Sequence, residues 1–173
     1  MHGVRSRAVV SLGREYNAYA AMRAFQGVAV PKVIGMFTTT DGKNMVLMMS
    51  YAGKALKAFS ELEPRDKHTL FHRLVRLHKT GVQHNDLEPR NVTKSSSGPL
   101  IIDFDRASLG HNCPGASCQE LLQVAQALDL DPATEMETPE GTARPPTVYS
   151  AVVAFVSAVV SALFGFPGCP RHV

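Results

Sequence analysis

The chain has 173 residues, of which 45% are hydrophobic, and its 18 Lys and Arg against 15 Asp and Glu give a net charge of +3. This length and apolar content suffice for the core of one domain and exclude a disordered tail. The positive charge is small and scattered, which excludes a basic stripe for a phosphate backbone, so no nucleic-acid partner is expected.

The cysteines and the N-terminal residues indicate a reducing location. Cys113, Cys118 and Cys169 are an odd number without the spacing of a disulfide framework, which favours reduced thiols. The first sixteen residues, MHGVRSRAVVSLGREY, have basic side chains but no apolar core of signal-peptide length. We therefore expect a cytoplasmic protein without a secretion signal.

The first part of the chain predicts a helix followed by a β-hairpin. Arg14 to Phe25 carries apolar side chains at helical spacing, with Glu15 near its start and Gly27 as a stop signal. The next segment has short β-like runs joined by a turn that contains Asp and Gly. The predicted strands are Lys32 to Phe37 and Asn44 to Ser50.

The middle of the chain predicts an amphipathic helix and a second hairpin. Glu63 to Thr80 has apolar residues recurring every three or four positions. Pro89 then prevents helix continuation within HNDLEPRN, and Leu100 to Phe104 is a short apolar run, so a hairpin that turns at residues 95–98 is expected. Residues 118–130, CQELLQVAQALDL, predict a further helix.

The C-terminal part differs in composition from the domain expected over residues 1–130. Residues 131–147 contain four prolines and predict a linker. Residues 148–166 form a run of nineteen without a charge, close to the roughly 20 that span a bilayer, and fit an apolar helix that acts as a membrane tail anchor. A buried terminal helix is one alternative, because the run has a single Leu, and an end that is not a native domain end is another.

Polar residues after the middle helix have a spacing that suits phosphoryl transfer. This reaction needs a carboxylate to orient the attacking hydroxyl and oxygen ligands to hold magnesium on the nucleotide phosphates. Asp86 can orient the hydroxyl, while the amide oxygen of Asn91 and the carboxylate of Asp103 are ligands that Mg²⁺ prefers. We therefore expect these three residues to form one site that uses ATP and Mg²⁺.

The same residues resemble the motifs of protein-kinase-like phosphotransferases. HNDLEPRN at residues 84–91 is similar to the catalytic loop H-R-D-L-x-x-x-N, and Asp103 with Phe104 resembles the start of D-F-G. The resemblance is closest to fungal kinase-like enzymes related to the aminoglycoside phosphotransferases, and it covers about residues 14–130. It implies an α+β, protein-kinase-like fold with a partial N-lobe, made of the first helix and hairpin, and a partial, mainly helical C-lobe.

The resemblance also implies roles for individual residues. Asp86 would be the catalytic base, with Asn91 and Asp103 as the magnesium ligands, and Glu15 would be the helix glutamate that pairs with a strand lysine. His84 is expected to be structural, bracing the loop against the strand near Asp103. The motifs do not name the phosphate acceptor, which is either a protein or a small-molecule hydroxyl.

Two parts of the kinase pattern are not found before the first helix. The residues preceding Arg14 contain no G-x-G-x-x-G and no lysine, so both parts are expected upstream of Met1, in a chain truncated at its N terminus. Lys32, in VAVPK, follows the helix instead of preceding it and is expected to be a surface residue. The chain is therefore expected to be a phosphotransferase or its remnant; the alternative is an inactive pseudokinase or fragment that acts as a binding scaffold.

Further departures fall within the motifs and beside them. Asn85 occupies the position of the arginine that reads a phosphorylated activation loop, so control of that kind is not expected. Asp105 occupies the glycine position of D-F-G and is expected to face solvent or to pair with Arg106 or Arg90. The pattern H-x-C-x₄-C suggests zinc but lacks a fourth ligand, so two free thiols are expected there. Its residues are His111, Cys113 and Cys118.

Overall fold

A computed structural model of the chain describes residues 7–40 and 44–137. Within these ranges four α-helices and three small antiparallel sheets are formed, which confirms the predicted α+β class. The helices are α1 Arg7–Ala21, α2 Pro64–Lys79, α3 Gln119–Ala127 and α4 Pro132–Glu137. The strands are β1 Val33–Thr38, β2 Met45–Met49, β3 Lys54–Ala55, β4 Val82–Gln83, β5 Val92–Ser95, β6 Gly98–Ile101 and β7 Ser108–Leu109.

Helix α2 forms where its apolar periodicity predicts. Pro64 occupies its first turn, where a missing N–H costs no hydrogen bond, and basic side chains lie in its last turn, where the helix dipole favours them. Its buried face packs against β4, β6, α3 and α4. The side chains on that face are Leu70, Phe71, Leu74, Val75, Leu77 and His78. The helix is therefore the centre of the core.

The two predicted hairpins are also present. β1 pairs with β2 from Val33 opposite Met49 to Thr38 opposite Met45, and Lys32 is an exposed residue just before β1. β5 pairs with β6 through a turn in which Ser95 faces Gly98. β3 adds to the outer edge of β5.

The short pair of β4 and β7 positions the loop that carries the kinase-like motif. β4 follows α2 directly and pairs with β7 through Val82 opposite Leu109. The chain between β4 and β5 is residues 84–91, and the chain between β6 and β7 is residues 102–107. Because β5 pairs with β6 and β4 pairs with β7, these two connections are held side by side at both ends.

Helix α1 differs from its prediction at both ends. It begins at Arg7, seven residues before the predicted start at Arg14, and it ends at Ala21, so Glu15 lies in the middle of the helix and not near its start. The side chain of Gln26 explains the early end, because its Nε2 donates to the carbonyl of Tyr19 over 3.0 Å. This bond takes the place of a backbone bond that would continue the helix.

The predicted linker begins with a helix. Asp131 accepts hydrogen bonds from the backbone N–H of Ala133 and from the hydroxyl of Thr134, which is the pattern of a helix N-cap, and α4 follows. The remainder of the linker and the apolar segment 148–166 lie outside the described residues. In residues 7–40 and 44–137 no helix has the length and apolar character needed to cross a membrane.

Candidate functional site

The residues singled out from the sequence lie on three segments that meet. These segments are the loop 84–91, the stretch 102–105 after β6, and the middle of α1. The backbone N–H of Ile102 donates to the carbonyl of Asn91 over 2.9 Å, which extends the β5–β6 ladder by one step beyond the strands. Asn91 and Asp103 therefore flank the open end of this hairpin.

His84 joins the first two segments through both ring nitrogens. Its Nε2 donates to the carbonyl of Ile102 over 3.0 Å, and its Nδ1 accepts the backbone N–H of Asp86 over 3.3 Å. The ring is buried, and burial lowers the pKa of His84 below its ordinary value. These contacts are those expected of a neutral histidine that braces the loop against the strand.

Acidification through the ordinary histidine pKa of 6.5 is expected to destabilise the fold through His84. The folded state favours the neutral ring of His84. The contribution of this ring to the free energy of unfolding is therefore complete above pH 6.5, and it is lost as the pH falls toward the lowered pKa of the folded state. Urea unfolding at about pH 7.5 and about pH 5.5 measures the loss. The loss should be smaller in His84→Gln than in the unaltered chain. Equal losses in the two chains would contradict this assignment.

Asp86 is held in place by cations and by the loop itself. Its Oδ2 lies 2.9 Å from Nη2 of Arg90, and its Oδ1 lies 3.7 Å from Nη1 of Arg106. The amide nitrogen of Asn91 donates to the carbonyl of Asp86 over 2.8 Å. The side chain of Asp86 is 15% exposed, so it is oriented yet still within reach of a small molecule.

Asp105 makes different contacts from those expected. Arg90 and Arg106 pair with Asp86 instead, and the carboxylate of Asp105 accepts a hydrogen bond from the hydroxyl of Ser11 over 3.3 Å. Arg14 of α1 donates to the backbone carbonyl of Asp105 over 3.2 Å. Asp105 is half-exposed and pairs with neither Arg90 nor Arg106, so the expected arginine pair was wrong. The early start of α1 places Ser11 beside it.

Asn91 and Asp103 present oxygen atoms that suit a hard cation. Asn91 is buried, and because its amide nitrogen is bonded to the loop, its Oδ1 takes no hydrogen bond from the described residues. Asp103 is exposed, and no hydrogen bond or ion pair from the described part of the chain engages its carboxylate. An amide oxygen and a carboxylate at one end of a hairpin are a donor set that fits Mg²⁺.

Glu15 faces this end of the hairpin from α1. Burial and then the negative charges of Asp103 and Asp105 raise the pKa of Glu15, while the backbone N–H of Phe104 opposes the rise. No lysine or arginine whose side chain the structure describes forms an ion pair with Glu15. The lysine pair that the kinase resemblance implies is thus not formed by the described residues.

The aromatic ring of Phe104 packs between α1 and the loop 84–91. The ring is fully buried, lies 5.1 Å from the ring of Tyr19 in an edge-on arrangement, and lies 4.7 Å from the imidazole of His84. The hydroxyl of Tyr19 is buried without a hydrogen-bond partner among the described residues. Phe104 therefore connects α1 to the loop through apolar contact.

Sequence reasoning missed Glu120, a buried carboxylate at the start of α3. Its oxygens accept the backbone N–H groups of His84 over 3.1 Å and Asn85 over 2.6 Å, and Nε2 of His78 lies 2.6 Å away. Burial alone would raise the pKa of this carboxyl, but the hydrogen bonds from His78 and from the two backbone N–H groups hold it below its ordinary value. The available signal was His78 itself, since a histidine in an apolar helix stripe needs a polar partner.

Asn85 has a conformational role in the loop. Its backbone is left-handed, with φ of 66°, a region that asparagine tolerates better than most residues. Its amide nitrogen donates to the carbonyl of Arg106 over 3.0 Å and to the hydroxyl of Ser108 over 3.1 Å. The residue thereby fastens the loop to the start of β7.

An open groove of about 360 Å³ lies between the loop and α3. Asp86 lines this groove, whereas Asn91 and Asp103 do not. Most of the other side chains on its walls are polar. They include Gln83, Asn85, Glu88, Gln119 and Gln123.

The described residues thus include an oriented carboxylate on Asp86, two oxygen donors at the open end of the β5–β6 hairpin, and a polar groove that Asp86 lines. A comparison with models of known protein families finds no match for the chain, and a comparison with curated proteins finds none either. The kinase-like resemblance therefore stays a hypothesis based on residues 84–91 and 103–104.

Proposed function

We propose that the chain is an ATP- and Mg²⁺-dependent phosphotransferase of the protein-kinase-like kind, or a remnant of one, with Asp86 as the catalytic base. The observation that supports this proposal is the arrangement at the open end of β5 and β6. Two oxygen donors, on Asn91 and Asp103, lie at this end, and Asn91 contacts the loop residue Asp86, whose carboxylate other side chains already orient. Phosphoryl transfer requires little more from protein than such positioning.

Different residues would act on the nucleotide and on the acceptor. Oδ1 of Asn91 and the carboxylate of Asp103 would hold Mg²⁺, which when bound neutralises charge on the nucleotide phosphates. Arg90 holds Oδ2 of Asp86, so Oδ1, with only Arg106 at 3.7 Å, is the freer oxygen to receive the proton of the acceptor hydroxyl.

The groove beside Asp86 is the natural place for the acceptor. It borders Asp86 on the side of α3 and excludes Asn91 and Asp103, so an acceptor in it would approach the base from a different side than the nucleotide. Its polar walls favour a hydroxyl-bearing molecule that can form several hydrogen bonds. Both a small molecule and a protein side chain meet this description.

One observation favours the second candidate, an inactive scaffold. Glu15 faces two carboxylates and forms no ion pair with a cation among the described residues. A missing cationic contact to a transferring phosphoryl group costs a few kcal/mol, or about a hundredfold or more in rate. This candidate would bind nucleotide weakly or without turnover.

The test is titration of a fluorescent ATP analogue with and without Mg²⁺. Binding to the full chain should depend on Mg²⁺ and should weaken about tenfold or more in Asp103→Asn, which removes an anionic ligand but keeps a side chain that tolerates φ of 66°. Asp129→Asn is the matched control, because Asp129 is also exposed and has φ of 58°. It should bind as the unaltered chain does.

Measurement of ADP formation distinguishes the phosphotransferase from the inactive scaffold. ADP formation above the level of Asp86→Asn supports the phosphotransferase, whereas Mg²⁺-dependent binding without ADP formation supports the scaffold. An unaltered chain that binds no nucleotide, or an Asp103→Asn variant that binds as tightly as Asp129→Asn, would remove Asp103 as a ligand and overturn the proposal.

A further inference from the structure

A cluster of histidines and cysteines lies on the far side of Glu120 from the loop. His78 comes from the last turn of α2, His111 and Cys113 from the loop after β7, and Cys118 from the residue before α3. One ligand atom of each lies within 4.8 Å of the ligand atoms of the others. The expectation that a fourth ligand is lacking was wrong, because folding brings His78 to the three residues of the H-x-C-x₄-C pattern.

The spacing of these atoms matches a tetrahedral metal site. Sγ of Cys118 is 3.5 Å from Nδ1 of His78 and 3.6 Å from Nε2 of His111. Zinc bonds of about 2.3 Å to sulfur and about 2.05 Å to nitrogen, at a tetrahedral angle, place sulfur and nitrogen about 3.6 Å apart. The imidazole rings of His78 and His111 are nearly perpendicular, at 84°, with their centroids 5.0 Å apart.

Glu120 prepares His78 for metal binding. Its Oε2 lies 2.6 Å from Nε2 of His78, which places the ring hydrogen on Nε2 and leaves the lone pair of Nδ1 directed toward Cys118. A carboxylate behind a ligand histidine commonly fixes the tautomer at metal centres. The cluster therefore has a supporting contact in addition to its four ligand atoms.

We propose that His78, His111, Cys113 and Cys118 bind one zinc ion as a structural site. Two thiolates and two imidazoles in a tetrahedron are a soft donor set typical of zinc. Four protein ligands leave no open position for water or substrate, which distinguishes a structural from a catalytic site.

The ion would join the end of α2, the loop after β7 and the start of α3. Through Glu120 it would also support the backbone at His84 and Asn85. This inference does not depend on the proposed phosphotransfer, because none of the four ligands belongs to that site.

Elemental analysis of the full chain, purified without a polyhistidine tag, provides the first test. About one zinc per chain is expected in the unaltered protein and in Cys169→Ser, whose cysteine lies outside the described residues. At least tenfold less is expected in Cys113→Ser and Cys118→Ser. Cys113 is only half-buried, so Cys113→Ser should remain folded by circular dichroism even if Cys118→Ser does not.

Cobalt(II) added to the metal-free chain provides a test that needs no variant. Binding should produce the visible absorption of tetrahedral cobalt with thiolate ligands, and zinc should displace it. Chelation of the metal should also lower the unfolding midpoint of the unaltered chain but not that of Cys113→Ser. A chain that holds no zinc and gives no such cobalt spectrum, or equal zinc in Cys113→Ser and Cys169→Ser, would overturn the proposal.

Discussion

Replacement of Glu120 by alanine is expected to lower the free energy of unfolding by about 3–5 kcal/mol, the range seen when one partner of a buried polar pair is removed. The carboxylate accepts three hydrogen bonds, from the ring of His78 and from the backbone of His84 and Asn85. Alanine would leave two donors on buried residues, His78 and His84, and the backbone N–H of the exposed Asn85 without this acceptor. Urea unfolding followed by circular dichroism measures the change.

Two further variants define the cause of that loss. Glu63→Ala removes an exposed carboxylate that makes no capping hydrogen bond, and it should change stability by less than about 0.5 kcal/mol. Glu120→Gln should fall between the two, since its single oxygen can accept some but not all of the donors. A Glu120→Ala variant within 1 kcal/mol of the unaltered chain would contradict this role.

Phe104→Ala is expected to cost about 3–5 kcal/mol of folding free energy and to weaken Mg²⁺-dependent nucleotide binding. The ring is fully buried and packs on both Tyr19 and His84, so its removal leaves a cavity between α1 and the loop. Because Phe104 directly follows Asp103, the cavity would also loosen the backbone that positions this proposed ligand. Urea unfolding and the nucleotide titration measure the two effects.

An exposed phenylalanine provides the control for this substitution. Phe37→Ala on β1 alters a ring that is 52% exposed and should cost less than about 1 kcal/mol. Phe104→Leu, which keeps most of the buried volume, should cost less than alanine and should retain more nucleotide affinity. Similar unfolding free energies for the two alanine variants would show that Phe104 is not a packing centre.

The elements that could be predicted are those whose pattern is local. Glu63 to Thr80 was predicted as a helix and Pro64–Lys79 is one, because its apolar residues repeat at helical spacing on one face. Both hairpins follow from short alternating runs and turn residues, with Ser95 opposite Gly98 as expected. His84 makes the bracing contact that its place in the motif suggested.

The elements that could not be predicted depend on distant parts of the chain. β4 and β7 have two residues each, too few for any pattern, and they exist because they pair with each other. In the sequence His78 belongs to the apolar face of a helix, and only the folded chain brings it beside Cys118 as the fourth residue of the histidine and cysteine cluster. Likewise Glu120 looked like an ordinary first-turn glutamate of α3.

The left-handed backbone at Asn85 and Asp103, with φ of 66° at each, restricts the residue types that these two positions accept. Most side chains cost about 1 kcal/mol or more in this conformation, whereas glycine, asparagine and aspartate adopt it readily. Selection for folding alone would thus retain Asn85 and Asp103, even without selection for activity. A descendant that has lost turnover but still folds would therefore keep both residues.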